Sequence, residues 1–146
     1  MEKDAKRLAK MIDTEFPYTR LSEEKISERL KKDGTFIFKK SLGKSIAGFV
    51  DLEIRKNTGF INGVSVKKNL RKKGIGKELV EFAVEFLKSN GAKKASLLVK
   101  RDNEAAKRLY SSQGFFFLRF HDKKIDDSIV EVWEREFPRK NEAYLN

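Results

Sequence analysis

The sequence predicts an α+β fold, a mixed sheet covered by helices with a βαβα segment at its centre. Three observations carry that expectation. Apolar residues recur first at helical spacing, then with period two, and then switch between the two periods from Gly74 onward. Glycines and turn residues fall where the period changes. At 146 residues, 39% hydrophobic and with twelve Phe, the chain can build a core without a disulfide or metal staple.

Leu8, Met11, Ile12 and Phe16 keep helical spacing, and Pro17 ends that first helix. Ser22 suits the N-cap of a second helix, with Leu21 and Ile26 as a hydrophobic staple; Leu30 continues the stripe and Gly34 stops it. Thr35 to Lys39 and Ser45 to Ile54 then read as strands, joined by a turn at Leu42, Gly43 and Lys44. In the second strand Ile46, Val50, Leu52 and Ile54 share one face, and Phe49, Asp51 and Glu53 the other. A turn near Asn57, Thr58 and Gly59 leads into a strand from Phe60 to Val66. Gly74 to Asn90 forms a long helix whose wide apolar stripe suits a sheet, with Gly91 as its left-handed stop. Ala95 to Lys100 is a strand, Asn103 to Ser112 a helix stopped at Gly114, and Phe115 to Phe120 and Ser128 to Phe137 are the last strands. Residues 1–137 thus make one domain, and 138–146 a polar, frayed tail.

Absences narrow the chemistry. Without Cys there is no disulfide, thiol nucleophile or thiolate metal site. The single His, His121, cannot build a multi-His metal centre, so no metal is expected. No apolar run reaches the ~20 residues of a membrane span, and the first residues lack a signal-peptide core. The expected location is the cytoplasm, with no membrane partner. A net charge of +11 points to polyanionic company such as nucleic acid, an acidic protein surface or a phosphate-rich cofactor. The same Lys- and Glu-rich, Cys-free balance is also a thermophile habit, which discounts it as a functional signal.

The most informative stretch follows Val66. A basic loop runs through Arg71, Lys72 and Lys73 to Gly74, Ile75, Gly76 and Lys77, where the long helix opens. The first turn of a helix carries unpaired N–H groups and partial positive charge, and glycine lets an anion approach closely. A Walker loop fails because Glu78 follows Lys77, and a dinucleotide fingerprint fails because Leu79 stands where a third small residue is needed. Alone, the loop reads equally well as a solvated basic turn. Further on, Asn103 opens a short helix and Tyr110 lies two turns later on roughly the same side. Separately they read as an N-cap and an aromatic anchor.

Together, Arg71-x-x-Gly74-x-Gly76 and Asn103-x-x-Ala106-x-x-x-Tyr110-x-x-x-Gly114-Phe115 resemble the GNAT superfamily of acetyl-CoA-dependent N-acetyltransferases. The specific motifs occupy about a third of the chain. The resemblance implies a three-layer fold with a mostly antiparallel sheet of six to seven strands and about four helices. It implies acetyl-CoA as co-substrate, with Val64, Ser65 and Val66 bordering the pantetheine arm. The N–H groups of Lys72, Lys73, Gly74, Ile75, Gly76 and Lys77 would hold the pyrophosphate beside Arg71, and Asn103 would touch the cofactor beyond the arm. Tyr110 would protonate the departing thiolate, and a backbone N–H near Val66 would face the oxyanion.

The proton acceptor is less clear. Leu98 and Phe60 stand where relatives often carry a basic group, and neither accepts a proton. Asp51 and Glu53 are the remaining candidates, beside a water chain, and each reads more readily as a solvated strand residue than as a catalyst. His121 reads as structural or solvent-facing. The loop Phe16, Pro17 and Tyr18 is expected to meet the acceptor, and it resembles that of ribosomal-protein and other N-terminal protein acetyltransferases. A protein N-terminus or lysine therefore leads over a polyamine, amino acid or amino sugar. A non-catalytic acetyl-CoA sensor and a basic nucleic-acid-binding module are the other readings. Aromatics interleaved with Lys suggest the last of these, but core packing explains them, so nucleic acid is not expected. Monomer and homodimer both remain open.

Overall fold

In a computed structural model, which describes residues 23–138, three helices and six strands follow the expected order. The helices are α1 (Glu23–Lys31), α2 (Ile75–Ser89) and α3 (Glu104–Ser112). The strands are β1 (Thr35–Leu42), β2 (Ser45–Arg55), β3 (Thr58–Val66), β4 (Lys94–Lys100), β5 (Phe116–Phe120) and β6 (Val130–Glu136). They form one sheet in the order β1-β2-β3-β4-β6-β5. Every neighbouring pair is antiparallel except β3 and β4, which α2 connects in parallel. The first helix expected from the sequence lies outside the described residues, as do Ser22 and residues 139–146.

The core lies between the sheet and α2. Val50, Leu52, Ile61, Ala95, Leu97 and Val99 meet Leu79, Val80, Ala83, Val84 and Leu87 there, all nearly or fully inaccessible. At about 25 cal/mol per Å² of apolar surface removed from water, this contact is the main driving force for docking α2. On its outer side α2 meets β1 through aromatic rings. Phe38 packs edge-on against Phe82 at 4.9 Å and Phe86 at 4.7 Å, and Phe36 against Phe86 at 4.9 Å.

Three departures from strict alternation matter. The β1–β2 register slips between Lys40 and Ser41, so Ala47 has no counterpart on β1. Ala47, not Ile46, joins the core cluster, which corrects the expected face of Ile46. On β3, Asn62 has no counterpart on β2, because Asp51 faces Gly63 while Leu52 faces Ile61. On β5, Leu118 has none on β6.

Gly59 is not a turn residue. Lys56, at φ 57°, and Asn57 make that turn, and Gly59 sits in β3, where a Cβ would lie 2.8 Å from Leu87. Its signal was packing rather than chain reversal. Gly48 on β2 is equally constrained: a Cβ would lie 2.7 Å from the Ser65 carbonyl oxygen and 2.9 Å from Leu79. Gly48→Ala should therefore lower the unfolding free energy by about 1–3 kcal/mol, read as a lower urea midpoint at unchanged slope.

Candidate functional site

β3 and β4 pair over only four residues, from Thr58 with Lys94 to Ile61 with Leu97. Beyond that they diverge. Residues 63–66 stay on the β2 ladder and residues 98–100 on the β6 ladder. The unpaired Asn62 falls at the point of divergence, where the extra residue bends β3 away.

Hydrogen-bond alternation shows which backbone groups face the opening. The Lys67 N–H donates to the Ala47 oxygen at 2.8 Å, so Ser65 addresses β2 while Val64 and Val66 turn toward the splay. Likewise the Arg101 N–H donates to the Ile129 oxygen at 2.9 Å, which turns Leu98 and Lys100 inward from β4. The two walls thus present peptide groups across a gap that neither strand closes. A slot with this lining suits an extended, amide-bearing chain entering as an extra strand.

The slot leads to the start of α2. Lys72 at φ 64° and Gly74 at φ 85° bend the loop, and α2 has no side-chain cap at its N-terminus. Its first N–H groups and the exposed Lys72, Lys73 and Lys77 therefore face solvent with a common positive sign. Arg71 Nε donates to the Val66 oxygen at 3.2 Å and so ties this loop to the end of β3. A Cβ at Gly76 would meet Leu109 at 3.5 Å and Val66 at 3.7 Å, ordinary contacts that the fold tolerates. The missing side chain leaves approach room rather than relieving a clash.

The N-cap role of Asn103 is realised: its side-chain oxygen accepts from the Ala106 N–H at 3.1 Å. Tyr110 is 9% exposed and edge-on to Phe115 at 6.1 Å. Burial pushes its hydroxyl up to about 12, so it holds its proton throughout the physiological range. α3 is anchored by a buried group that sequence reading missed. Glu131 on β6 accepts from Trp133 Nε1 at 2.8 Å and lies 3.5 Å from Lys107 of α3. Lys107 also donates to the Arg101 carbonyl at 3.0 Å. The i, i+2 spacing of Glu131 and Trp133 on one strand face was the available signal.

Both candidate carboxylates are engaged. Asp51 is 1% exposed and ion-paired with Arg29 of α1, so it is not a solvated strand residue. Glu53 accepts from Arg55 Nε at 2.7 Å and lies 3.5 Å from Lys32. Neither lines the pocket of about 280 Å³ on the face opposite α2, over the point of divergence. That pocket is walled by Arg55, Phe60, Asn62, Leu98, Arg119 and His121, among others. His121 thus shares a wall with the two positions, Phe60 and Leu98, that carry no basic group. Residue spacing alone could not bring His121 there, because the contact crosses three strands. Phe16, Pro17 and Tyr18 lie outside the described residues. No cluster of three or more His, Asp or Glu able to hold a metal occurs among the described residues.

The sequence pattern of the Acetyltransferase (GNAT) family matches residues 5–115. The chain belongs to the GNAT acetyltransferase family. Among similar proteins, the uncharacterized N-acetyltransferase YvbK of Bacillus subtilis is 34% identical over 98 residues, covering 61% of this chain and 63% of that protein. A further uncharacterized N-acetyltransferase, from Archaeoglobus fulgidus, is 41% identical over 59 residues, 40% of each chain. The match to YvbK therefore spans less than two thirds of that relative's length. The solved ribosomal-protein-S18-alanine N-acetyltransferase of Escherichia coli has a similar fold. That structure matches with a TM-score of 0.78 at 19% identity, covering 99% of this chain and 96% of that one. PaiA N-acetyltransferase of Thermoplasma acidophilum, solved with coenzyme A, matches at 0.72 and 19% identity, covering 93% and 94%. The six-stranded mixed sheet is the GNAT sheet.

In this GNAT chain the buried Tyr110 has a consequence for stability. Its hydroxyl ionises near 10 when unfolded and near 12 when folded, so its contribution is intact below pH 10 and is lost as pH rises toward 12. The loss amounts to about 2–3 kcal/mol. Tyr110→Phe should flatten that part of a pH series of urea denaturation curves, relative to wild type.

Proposed function

We propose that this protein transfers an acetyl group from acetyl-CoA to a primary amine by direct attack in a ternary complex. The observation that carries the reading is the slot itself: backbone of Val64, Val66, Leu98 and Lys100 facing across the β3–β4 gap, which ends at the glycine-opened start of α2. Unpaired peptide groups leading to a basic, glycine-opened helix start suit the amides of the extended arm and the pyrophosphate of a CoA thioester. When bound, acetyl-CoA supplies an activated acyl group. Everything else is the work of the chain.

In this reading the first N–H groups of α2, from Ile75 to Lys77, bind the pyrophosphate, with Arg71, Lys72 and Lys73 adding positive potential. Val64 and Val66 orient the arm, with Ser65 behind them on the β2 ladder, and the Val66 N–H polarises the acyl oxygen. Tyr110 keeps a proton on its hydroxyl and donates it toward the leaving sulfur. Asn103 opens α3 and contacts the cofactor beyond the arm. His121 takes the proton of the acceptor amine from the pocket over the splay, since Asp51 and Glu53 are held in ion pairs. Those two carboxylates position α1 and Arg55, and Arg55 lines that pocket. The acceptor is a protein N-terminus or lysine, met by the segment containing Phe16, Pro17 and Tyr18. A pocket of about 280 Å³ also favours a second reading, a small amine acceptor.

The deciding experiment is calorimetric titration with acetyl-CoA. Wild type should bind, and Gly76→Ala should bind at least about ten-fold more weakly while being as stable or up to ~1 kcal/mol more stable. Equal affinity in the variant would remove the α2 turn from the site, and no binding at millimolar acetyl-CoA would end the acyl-transfer reading. In turnover assays, His121→Gln should lower kcat/KM by about a hundred-fold. Tyr110→Phe should lower kcat with acetyl-CoA affinity preserved.

A further inference from the structure

Arg119 reaches the pocket because of the irregularity in β5. Phe116 faces Glu134 and Phe117 faces Trp133, so unbroken alternation would set Arg119 opposite Glu131, on the α3 side of the sheet. Leu118 is skipped instead, and Arg119 lies opposite Val132. Val132 in turn faces Leu98, so Arg119 projects onto the side of the sheet that holds Leu98 and the splay. A β-bulge that re-aims one side chain at a cavity is a common device next to functional sites.

Among the described residues the pocket wall contains two guanidinium groups and an imidazole, and no carboxylate. Arg55 is already satisfied: its Nε is 2.7 Å from Glu53, and its guanidinium lies 4.2 Å from the centre of the Phe60 ring. Arg119 makes only a 3.3 Å contact to the neighbouring Phe120 carbonyl and has no carboxylate partner among the described residues. An arginine fork turned into a pocket without a counter-ion is suited to bidentate capture of a planar anion.

We infer that the acceptor amine carries a carboxylate, and that Arg119 binds it. The inference rests on the acyl-transfer reading above and adds the acceptor's chemical class. One uncommitted guanidinium matches one negative charge. β5 and β4 are two strand spacings apart, about 10 Å, and the arginine side chain spans much of that distance. The carboxylate therefore sits within a few bonds of the nitrogen that attacks at the splay. Two sources offer this chemistry: the α-carboxylate of a free amino acid, and an acidic side chain next to a peptide's N-terminus.

The test compares kcat/KM, followed by CoA release, in matched pairs. One arm sets free amino acids against their amides. The other sets peptides with Asp or Glu at the second position against the same peptides with Asn or Gln. The expected result is a preference of at least about ten-fold for the anionic member in one arm, which also identifies the source. That preference should collapse in Arg119→Gln and persist in Lys88→Gln, whose exposed charge on α2 controls for the +11 net charge. Equal rates for both members of every pair would overturn the inference and leave acyl transfer standing. A preference that survives in Arg119→Gln would also overturn it. Acetyl-CoA binding without turnover of any amine would overturn acyl transfer itself, and the inference with it. A second measurement does not depend on turnover: with CoA present, an N-acetyl amino acid or N-acetyl acidic peptide should bind wild type more tightly than Arg119→Gln.

Discussion

The site depends on one unfinished piece of hydrogen bonding. Parallel strands normally share an evenly spaced ladder along their length, and leaving peptide groups unpaired inside a protein is costly. Here β3 and β4 stop pairing after four residues, although both continue. Each remains straight enough to keep its other neighbour, β2 or β6, so the opening is held by two intact antiparallel ladders rather than by a flexible loop. The cost of the gap is kept small because its peptide groups border an open slot, where water or an extended ligand can satisfy them.

Other features serve that opening. The extra residue Asn62 bends β3 at the point of divergence. α2, docked by its apolar stripe on the same strands, places its uncapped N-terminus at the end of the slot. The Arg71 side chain, by bonding to the Val66 carbonyl, joins the basic loop to the strand wall. α3 is held from below by the buried Glu131, which accepts from Trp133 and pairs with Lys107; this fixes the helix that carries Tyr110. Removing Glu131 would leave the Trp133 N–H without its acceptor and break the tie from Lys107 to β6, while Lys107 keeps the Arg101 carbonyl, so this anchor concerns orientation as much as stability.

The two sides of the sheet divide the labour. The α2 side is the dry core that sets the strand positions. The opposite side carries the polar groups: Asp51 paired with Arg29, Glu53 with Arg55, and the pocket containing His121 and Arg119. On the function proposed above, a fold of this kind can keep one co-substrate slot and vary its acceptor by changing residues on that second side alone.

Local chemistry was readable without the structure. The order of helices and strands, the left-handed stop at Gly91, the helix stop at Gly114, the Asn103 cap and the glycine-opened helix all follow from short-range periodicity and backbone preference, which act between residues a few positions apart. The paired motifs around Gly74 and Tyr110 likewise named the family, because an anion turn and a capped helix are written in contiguous residues. Register was not readable. One-residue slips at Ala47, Asn62 and Leu118 depend on how whole strands meet, and each reverses which face the following side chains occupy. The slips place Ile46 off the core face that its spacing suggests and bring Arg119 into a pocket with Phe60, Leu98 and His121, while Asp51 is buried and ion-paired with Arg29 of α1, a contact between elements that no strand pattern carries. Sequence alone determined the kind of fold and the basic, glycine-opened helix start that the proposed function gives to the co-substrate. Only the tertiary structure decided the pocket proposed for the acceptor, because it is assembled from side chains on five strands whose alignment is set by the sheet as a whole.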